Sequence, residues 1–509
     1  MSEFLYSFAA KDIQNYILRS DKLVEMVGAS ELIDRFCREE GFLHSCIQTF
    51  GIKDDEYQFI TQAAGWAKIL FKREEDARAL YKYMPIAASF YAPGLNIVQN
   101  IVPVNGSISA AINKSEKQLI YARSTLNVRL PEIGPLIDRN PRTGLAATGN
   151  AYGESIDEES KSKRETKTNN LIQRMTGASA DDTWPKELEN ISGSERKYIA
   201  IIHADGNALG KALIAIQDYL DQSKNADAAS IYRGFSNAIG EATLHAVQYA
   251  SKQVILHEAA LRGAAAVKAA RPIVLGGDDV TIIIRADLAF DFTCAFLSKF
   301  EETSKKALAT NFNKFKIPDF PDLLTACAGM AFVKQAYPFS RAYELAESLC
   351  QDAKTAAKDQ INDNGGYVPS CFSFCKISTS IAGDYKTIRN NELTSRDGVT
   401  KLWFGPYGVG KYVKGVPRYD DLKALSDAMG KAPTGTIREL ITTVYSNSTT
   451  AQSDYKRMLQ VLRWDRNTKG VADEIKVLME QLTGRTESLV STGNHTPLLD
   501  AHRHGELQK

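Results

Sequence analysis

The chain has 509 residues, room for roughly three domains with well-buried cores, and its 44% hydrophobic and 24% charged residues are ordinary for a globular protein. Its 62 Lys and Arg against 61 Asp and Glu leave a net charge of +1, which excludes a protein that holds nucleic acid by bulk charge but not one with a local basic patch. No apolar run reaches the ~18 residues of a membrane span, MSEFLYSFAAKD lacks the parts of a secretory signal, and the seven cysteines form no CxxC pair, so a reduced, cytoplasmic chain without membrane contact is expected.

Phe4 to Phe8 reads as a short strand entering a helix over Ile13 to Arg38, whose apolar positions are Ile13, Tyr16, Ile17, Leu23, Val24 and Val27. Tyr57 to Phe71 reads as a hairpin with Ala63-Ala64-Gly65-Trp66 at its tip. A charged helix from Glu74 to Met84, a strand from Leu95 to Val104 and a helix from Ser115 to Ser124 follow. Gly153 to Asn170 (GESIDEESKSKRETKTNN) is polar and poor in apolar residues, the composition of a mobile linker or insertion.

The order then repeats. Tyr198 to His203 is a strand, a helix follows Asn207, and residues 230–266 are helical and rich in alanine. Arg271 to Arg285 is a hairpin carrying Gly276-Gly277-Asp278-Asp279. Leu288 to Leu308 is a helix, Leu323 to Val333 a strand and Ser340 to Lys358 a helix. The repeated order predicts an α+β chain with two related domains in tandem, the first keeping the turn without its carboxylates. Helices are expected over Asp420–Met429, Ile437–Tyr445, Ser453–Arg466 and Val471–Thr483, and the last twenty-odd residues, with His495, His502 and His504, read as frayed. The divisions are a first domain over 1–130, a linker or insertion over 131–195, a second domain over 196–395 and a helical domain over 396–509. Cys371 and Cys375, without a second Cys or His pair, read as packed strand residues.

The chemistry-bearing element is Gly276-Gly277-Asp278-Asp279, taken with His203-Ala204-Asp205-Gly206-Asn207 at a strand end. A hairpin turn needs Gly or Asp, so a surface turn with solvated acids is the bland alternative. Two glycines followed by two acids exceed that need. Adjacent carboxylates repel one another, and a divalent cation with hard-oxygen preference, Mg²⁺ or Mn²⁺, relieves this. If the two strands pair, Asp205 becomes a third ligand beside Asp278 and Asp279, the pattern of two-metal phosphoryl transfer. Gly206, Asn207, Gly210 and Lys211 open a helix whose N-terminal N–H groups suit a phosphate, and Gly276 and Gly277 allow close approach of a ligand. Lys354, four residues before Lys358 on one helix face, reaches the phosphates if that helix packs beside the turn, and is otherwise a solvated surface group. His203 reads as packed.

The Asp-Gly-Asn after a strand, the GGDD hairpin, TACAGMAFV and PFSRAYELAESLCQDAK, in that order, resemble the palm domain of the large CRISPR-associated subunit of type III effector complexes. That palm is related to GGDEF diguanylate cyclases and class III nucleotidyl cyclases. SCFSFCKISTSIAGDYKTIRNNELT with LWFGPY, the N-terminal IQNYILRSDKLVEMVGASELID and RTGLAA at 142–147 resemble other parts of the family. The resemblance implies two tandem ferredoxin-like palms, the first degenerate, and a helical C-terminal domain. It implies a nucleotidyltransferase that joins ATP into cyclic oligoadenylate in antiviral defence, with Asp278 and Asp279 catalytic and metal-binding and Asp205 a further ligand. The partners it implies are ATP or another NTP and guide-RNA effector subunits or activating RNA; because cyclisation requires two nucleotides near one palm, a second protomer in a homodimer or a second bound nucleotide is expected. The family's frequent HD nuclease domain is expected to be absent, there being no His-Asp dipeptide, and its inter-palm zinc cysteines are missing. A non-catalytic scaffold binding RNA or subunits is the rival from another class, and a diguanylate cyclase is weakened by GGDD in place of GGDEF.

Overall fold

The computed structural model describes residues 3–508 other than 39, 126–133, 135, 152, 193–197, 224–226, 264, 319, 360–366, 378–382, 412 and 466–467. Strand β1 (Glu3–Lys11) leads into α1 (Ile13–Leu18), α2 (Leu23–Phe36) and α3 (Phe42–Thr49), then β2 (Tyr57–Ala63), β3 (Trp66–Phe71), α4 (Glu74–Tyr91), β4 (Asn96–Val104) and α5 (Ile108–Ser124). The expected single helix over 13–38 is two helices. The Ser20 hydroxyl accepts the Lys22 N–H at 3.2 Å, a local bond that competes with helix continuation. The helix expected to end at Met84 runs on through Pro85 to Tyr91, because Ala77, Leu80, Met84 and Ala88 keep a buried stripe on one face. Helix α5 starts seven residues earlier than expected, at a Ser107 cap on the Ala110 N–H.

A hairpin, β5 (Gly149–Ala151) and β6 (Glu154–Ile156), follows with α6 (Glu158–Glu165), α7 (Asn170–Thr176) and α8 (Glu189–Ser192). Residues 153–170 are thus hairpin and helix rather than a mobile linker. Composition mistook paired charges for solvated ones. Lys163, 2% exposed, donates to Glu159 Oε1 at 2.7 Å and lies 4.0 Å from the Tyr16 ring centre, while Arg164 donates to Glu25 at 2.6 Å. Gly28 lets α2 cross α6 backbone to backbone: a Cβ there would sit 1.9 Å from the Lys163 carbonyl oxygen.

The second domain runs β7 (Tyr198–Gly206), α9 (Leu209–Gln222), α10 (Ala228–Ala250), a wider π turn (Ser251–Leu256), α11 (His257–Arg262), β8 (Ala270–Leu275), β9 (Val280–Arg285), α12 (Ala289–Asn311), β10 (Ala326–Lys334), α13 (Phe339–Asp359) and β11 (Cys371–Lys376). After α14 (Tyr385–Asn391) and the short β12 (Tyr407–Gly408) come α15 (Tyr419–Gly430), α16 (Thr434–Ser446), α17 (Ser448–Trp464), α18 (Lys469–Thr483) and α19 (Leu498–Gln508). The tail expected to fray is therefore a helix. Asp500 accepts the Phe404 N–H at 2.9 Å and the Tyr407 hydroxyl at 2.7 Å, and buried His504 lies 3.0 Å from both Tyr419 Oη and Ser426 Oγ.

The first sheet has the order β2-β3-β1-β4, and the second β12-β11-β10-β7-β9-β8. Within the second, β10-β7-β9-β8 repeats the first sheet's arrangement, with the domain's opening strand inside and the hairpin to one side. The fold is mixed α/β. Because side chains alternate across a strand, each sheet feeds two cores. One joins Leu5, Leu70 and Val102 to Ala200, Ile202, Ile282 and Met330. The other joins Tyr6, Phe8 and Ile69 to Ile199, Ile201, Ile283 and Ala331. All seven cysteines are free thiols, Cys371 and Cys375 being buried in β11 as expected. No helix among the described residues is long and apolar enough to cross a membrane.

Candidate active site

Strands β7 and β9 pair antiparallel, Ala204 opposite Val280, which sets Asp205 beside the turn that carries Asp278 and Asp279. The turn is closed by the Gly276 N–H donating to the Asp279 carbonyl at 2.8 Å. Gly206 leaves the room: a Cβ there would lie 3.2 Å from Asp278 Cβ. The approach strand β8 is held from outside by the Ser30 hydroxyl on the Ile273 carbonyl and by Arg174, which donates to the Leu275 carbonyl at 2.9 Å and to Asp34 at 2.6 Å.

Loss of hydration, then the negative charge of Asp205, push the carboxyls of Asp278 and Asp279 up to about 7. The Asp279 side chain is 42% exposed as a whole, yet its Oδ1 is shut off from solvent and has no hydrogen-bond donor. Nδ1 of His203 lies 3.3 Å away but is engaged with Thr281 Oγ1 at 3.2 Å, and burial holds that imidazole below its ordinary proton affinity. His203 is packed, edge-on to Tyr343 with ring centres 5.5 Å apart.

Lys354 does not point at open space. Its buried ammonium pairs with the Asp205 carboxylate and donates to the Gly206 carbonyl at 2.9 Å. Gly329 makes this possible, since a Cβ there would stand 2.0 Å from the Ala346 carbonyl oxygen and 2.4 Å from the Cys350 nitrogen; its absence lets α13 lie against β10. Asn207 is buried, with its donors engaged and its Oδ1 without a hydrogen-bond partner. Its N–H donates to the Thr325 carbonyl at 2.8 Å, and its amide donates to Thr325 Oγ1 at 3.0 Å, all within the interior. Gly210 and Lys211 are exposed on the first turn of α9.

The donor set suits a hard divalent cation: three neighbouring carboxylates, two with raised proton affinity, and one oxygen lacking a donor. The three are not gathered as a finished chelate. Among the described residues no group of three or more His, Cys, Asp or Glu side chains is arranged to hold a metal, and Asp205 is paired with Lys354.

The turn closes one end of a cavity of about 710 Å³ between the two domains, lined by Gly276 to Asp279, by Ala63, Ala64 and Trp66 from the first hairpin, and by Leu209, Leu213 and Tyr343. Both hairpin turns face one space. Ala9, opposite Trp66 and three residues before left-handed Asp12 (φ 54°), corresponds to Asp205, three residues before left-handed Ala208 (φ 61°). Ala9, Gly65 and Trp66 thus stand where Asp205, Asp278 and Asp279 stand in the second domain. Sequence reasoning missed Gln14, whose amide donates across the interface to Tyr343 Oη at 3.1 Å and Glu347 Oε1 at 3.2 Å. The spacing of Tyr343, Glu347, Cys350 and Lys354 along one face of α13 is the signal that marks this stripe.

Raised carboxyl pKa values fix a sign. The folded chain holds protons on Asp278 and Asp279 that the unfolded chain has released above pH ~4. Without divalent cations, stability therefore falls as pH rises from about 4 to about 7. Asp279→Asn is expected to remove part of that fall, gaining roughly 1–2 kcal/mol at pH 8 after allowing for solvent screening. Mn²⁺ is expected to raise the melting temperature of the unsubstituted chain more than that of the variant. Thermal melts across pH, with and without Mn²⁺, check both; equal pH profiles would refute the assignment.

Residues 198–362 match the family described as Cas10/Cmr2, second palm domain. No curated protein matches the chain. Among solved structures, Csm1 in T.onnurineus is similar at 12% identity and TM-score 0.54, over 100% of this chain and 70% of that one; at this identity the likeness concerns the fold alone. A Csm1-Csm4 cassette in complex with pppApApA has 13% identity and TM-score 0.48, over 100% of this chain and 69% of that one.

Proposed function

From the match of residues 198–362 to the Cas10/Cmr2 second palm domain, we propose that the chain is a nucleotidyltransferase that joins ATP into a cyclic oligoadenylate second messenger in antiviral defence. The observation that carries this reading is the meeting of Asp205 with Asp278 and Asp279, the latter two lining the end of an interdomain cavity. The matching strand orders support two tandem ferredoxin-like palms, the first degenerate.

Each bond forms by attack of one nucleotide's 3′-hydroxyl on the α-phosphorus of the next, the hydroxyl proton passing to solvent and pyrophosphate leaving, and the ring closes by the same step between the last 3′-hydroxyl and the first α-phosphorus. Asp278 and Asp279 would hold Mg²⁺ or Mn²⁺, with Asp205 joining on release from Lys354; the ion supplies acidification of the hydroxyl and neutralisation of the leaving charge. The chain's own residues do the rest. Leu209, Leu213, Ile13 and Phe235 give the bases an apolar wall and exclude water from the reacting groups. Gly276 and Gly277 allow close approach of phosphate oxygens, and Lys354, once free of Asp205, is placed to meet their charge. Lys211 and Gly210 at the start of α9 offer a second anchor. Since both turns line one cavity, the second nucleotide is best housed against the first domain of the same chain rather than on a second protomer. Guide-RNA effector subunits or activating RNA are the proposed partners, on the strength of the family of the second domain.

Incubating the purified chain with each labelled NTP and Mg²⁺ or Mn²⁺, with and without activating RNA, tests this by mass spectrometry of the product. A cyclic adenylate oligomer is expected. A product from GTP alone would make the chain a guanylate enzyme, and no product under any condition would make it a scaffold.

A further inference from the structure

At the other end of the six-stranded sheet lies a second cavity, about 960 Å³ in volume, within the size range of small-molecule sites. It opens among the far ends of β7, β9 and β11 and the helices α15, α16 and α19. Tyr198 on its wall is seven residues along β7 from Asp205, about 23 Å at strand rise, so the two cavities are separate. The walls are mixed: Met429, Ile437 and Leu507 are apolar, and the polar lining holds the basic Lys376, Arg438 and His502 as well as the acids Asp427 and Glu506.

These polar groups converge on one carboxylate. Glu506, in the last turn of α19, accepts from Lys376 Nζ at 2.7 Å, and its Oε1 lies 3.4 Å from His502 Nε2 and 3.7 Å from Arg438 Nη2. Lys376 also lies 5.1 Å from the centre of the Tyr198 ring. The neighbouring Arg285 is already neutralised by Asp287 and Glu258 and is left out of the count. Two cationic side chains, Lys376 from β11 and Arg438 from α16, thus share Glu506, with the His502 imidazole beside it. At 3.7 Å the Arg438 contact is beyond hydrogen-bond length, and that side chain is 63% exposed.

We propose that this cavity binds a small phosphate-bearing molecule, a phosphate monoester or a polyphosphate, which displaces Glu506 from Lys376, Arg438 and His502. A phosphate offers three acceptor oxygens and up to two charges where Glu506 offers two oxygens and one charge, and it suits a guanidinium fork. The apolar wall of Met429, Ile437 and Leu507 then faces the organic part. The site is independent of the carboxylate turn.

The test titrates inorganic pyrophosphate and, separately, AMP into the full chain in EDTA, read by calorimetry. Glu506→Gln keeps the shape and removes the competing charge, so binding is expected to tighten about fivefold. Arg438→Ala and Lys376→Met are each expected to weaken it about tenfold or more, and Lys354→Ala is expected to leave it unchanged. Arg438 is largely solvent-exposed, so its variant keeps the fold even if Lys376→Met does not. Tighter binding of AMP than of pyrophosphate assigns the ligand an organic part, and the reverse assigns it to a bare polyphosphate; both support the site. No binding to the unsubstituted chain or to Glu506→Gln, unchanged binding in Arg438→Ala, or loss in Lys354→Ala alone would overturn it. No step of the test uses nucleotide turnover, so its failure is separate from failure of the proposed transferase.

Discussion

Replacing Asp278 and Asp279 together by Asn is expected to lower nucleotide joining by at least about 10³-fold, the scale seen when charge-stabilising groups are removed from a reacting centre. The double variant is expected to fold. The hairpin is closed by a backbone bond, from the Gly276 N–H to the Asp279 carbonyl. Both acids have raised pKa values, so removing their charge relieves repulsion, and above pH 7 the variant melts no lower than the unsubstituted chain. A product assay beside a melting curve separates lost chemistry from lost structure. Undiminished turnover would reject the assignment of the turn.

The second large effect is structural. Gly329→Ala places a Cβ 2.0 Å from the Ala346 carbonyl oxygen and 2.4 Å from the Cys350 nitrogen. Both are backbone atoms of α13, so no rotamer change removes the clash and the helix must lift from β10. A loss of about 3 kcal/mol or more is expected. The displacement also draws Lys354 away from Asp205, since the lysine lies one turn beyond Cys350. Denaturant unfolding of Gly329→Ala checks this, with Gly435→Ala as a control at a helix position with open space. Equal midpoints would show that α13 does not rest on β10 as described.

Which parts of this molecule could be read from the sequence follows from how local their causes are. The carboxylate turn was legible because Gly276 to Asp279 and the flanking apolar strands lie within sixteen residues, and Asp205 because its strand was apolar up to a sudden acid. The pairing of Asp205 with Lys354 was not, since it joins residues 149 apart and depends on how closely α13 sits on β10, which Gly329 decides. Residues 153–170 were misread because composition counts charges without partners, and Lys163 and Arg164 find theirs on α2, α6 and β6. The terminal helix was missed for a related reason. It is short, and Asp500 and His504 face the interior, polar residues where an apolar stripe would have given the period. The bonds from Asn207 to Thr325 were likewise not legible, because they depend on the register of β7 against β10.

The bonds from Ser30 and Arg174 to the outward carbonyls of Ile273 and Leu275 bear on how the molecule behaves in a crowded cell. Strand β8 is the border of its sheet, and such a border with free carbonyls invites strand addition by another chain. The first domain and α7 fill those acceptors. Arg233 does the same in the other direction, donating to the Phe59 carbonyl on β2, the border strand of the first sheet, at 2.9 Å. Each half thus blunts the sticky margin of the other, and neither is a free-standing module that evolution could detach without exposing a polymerisable seam.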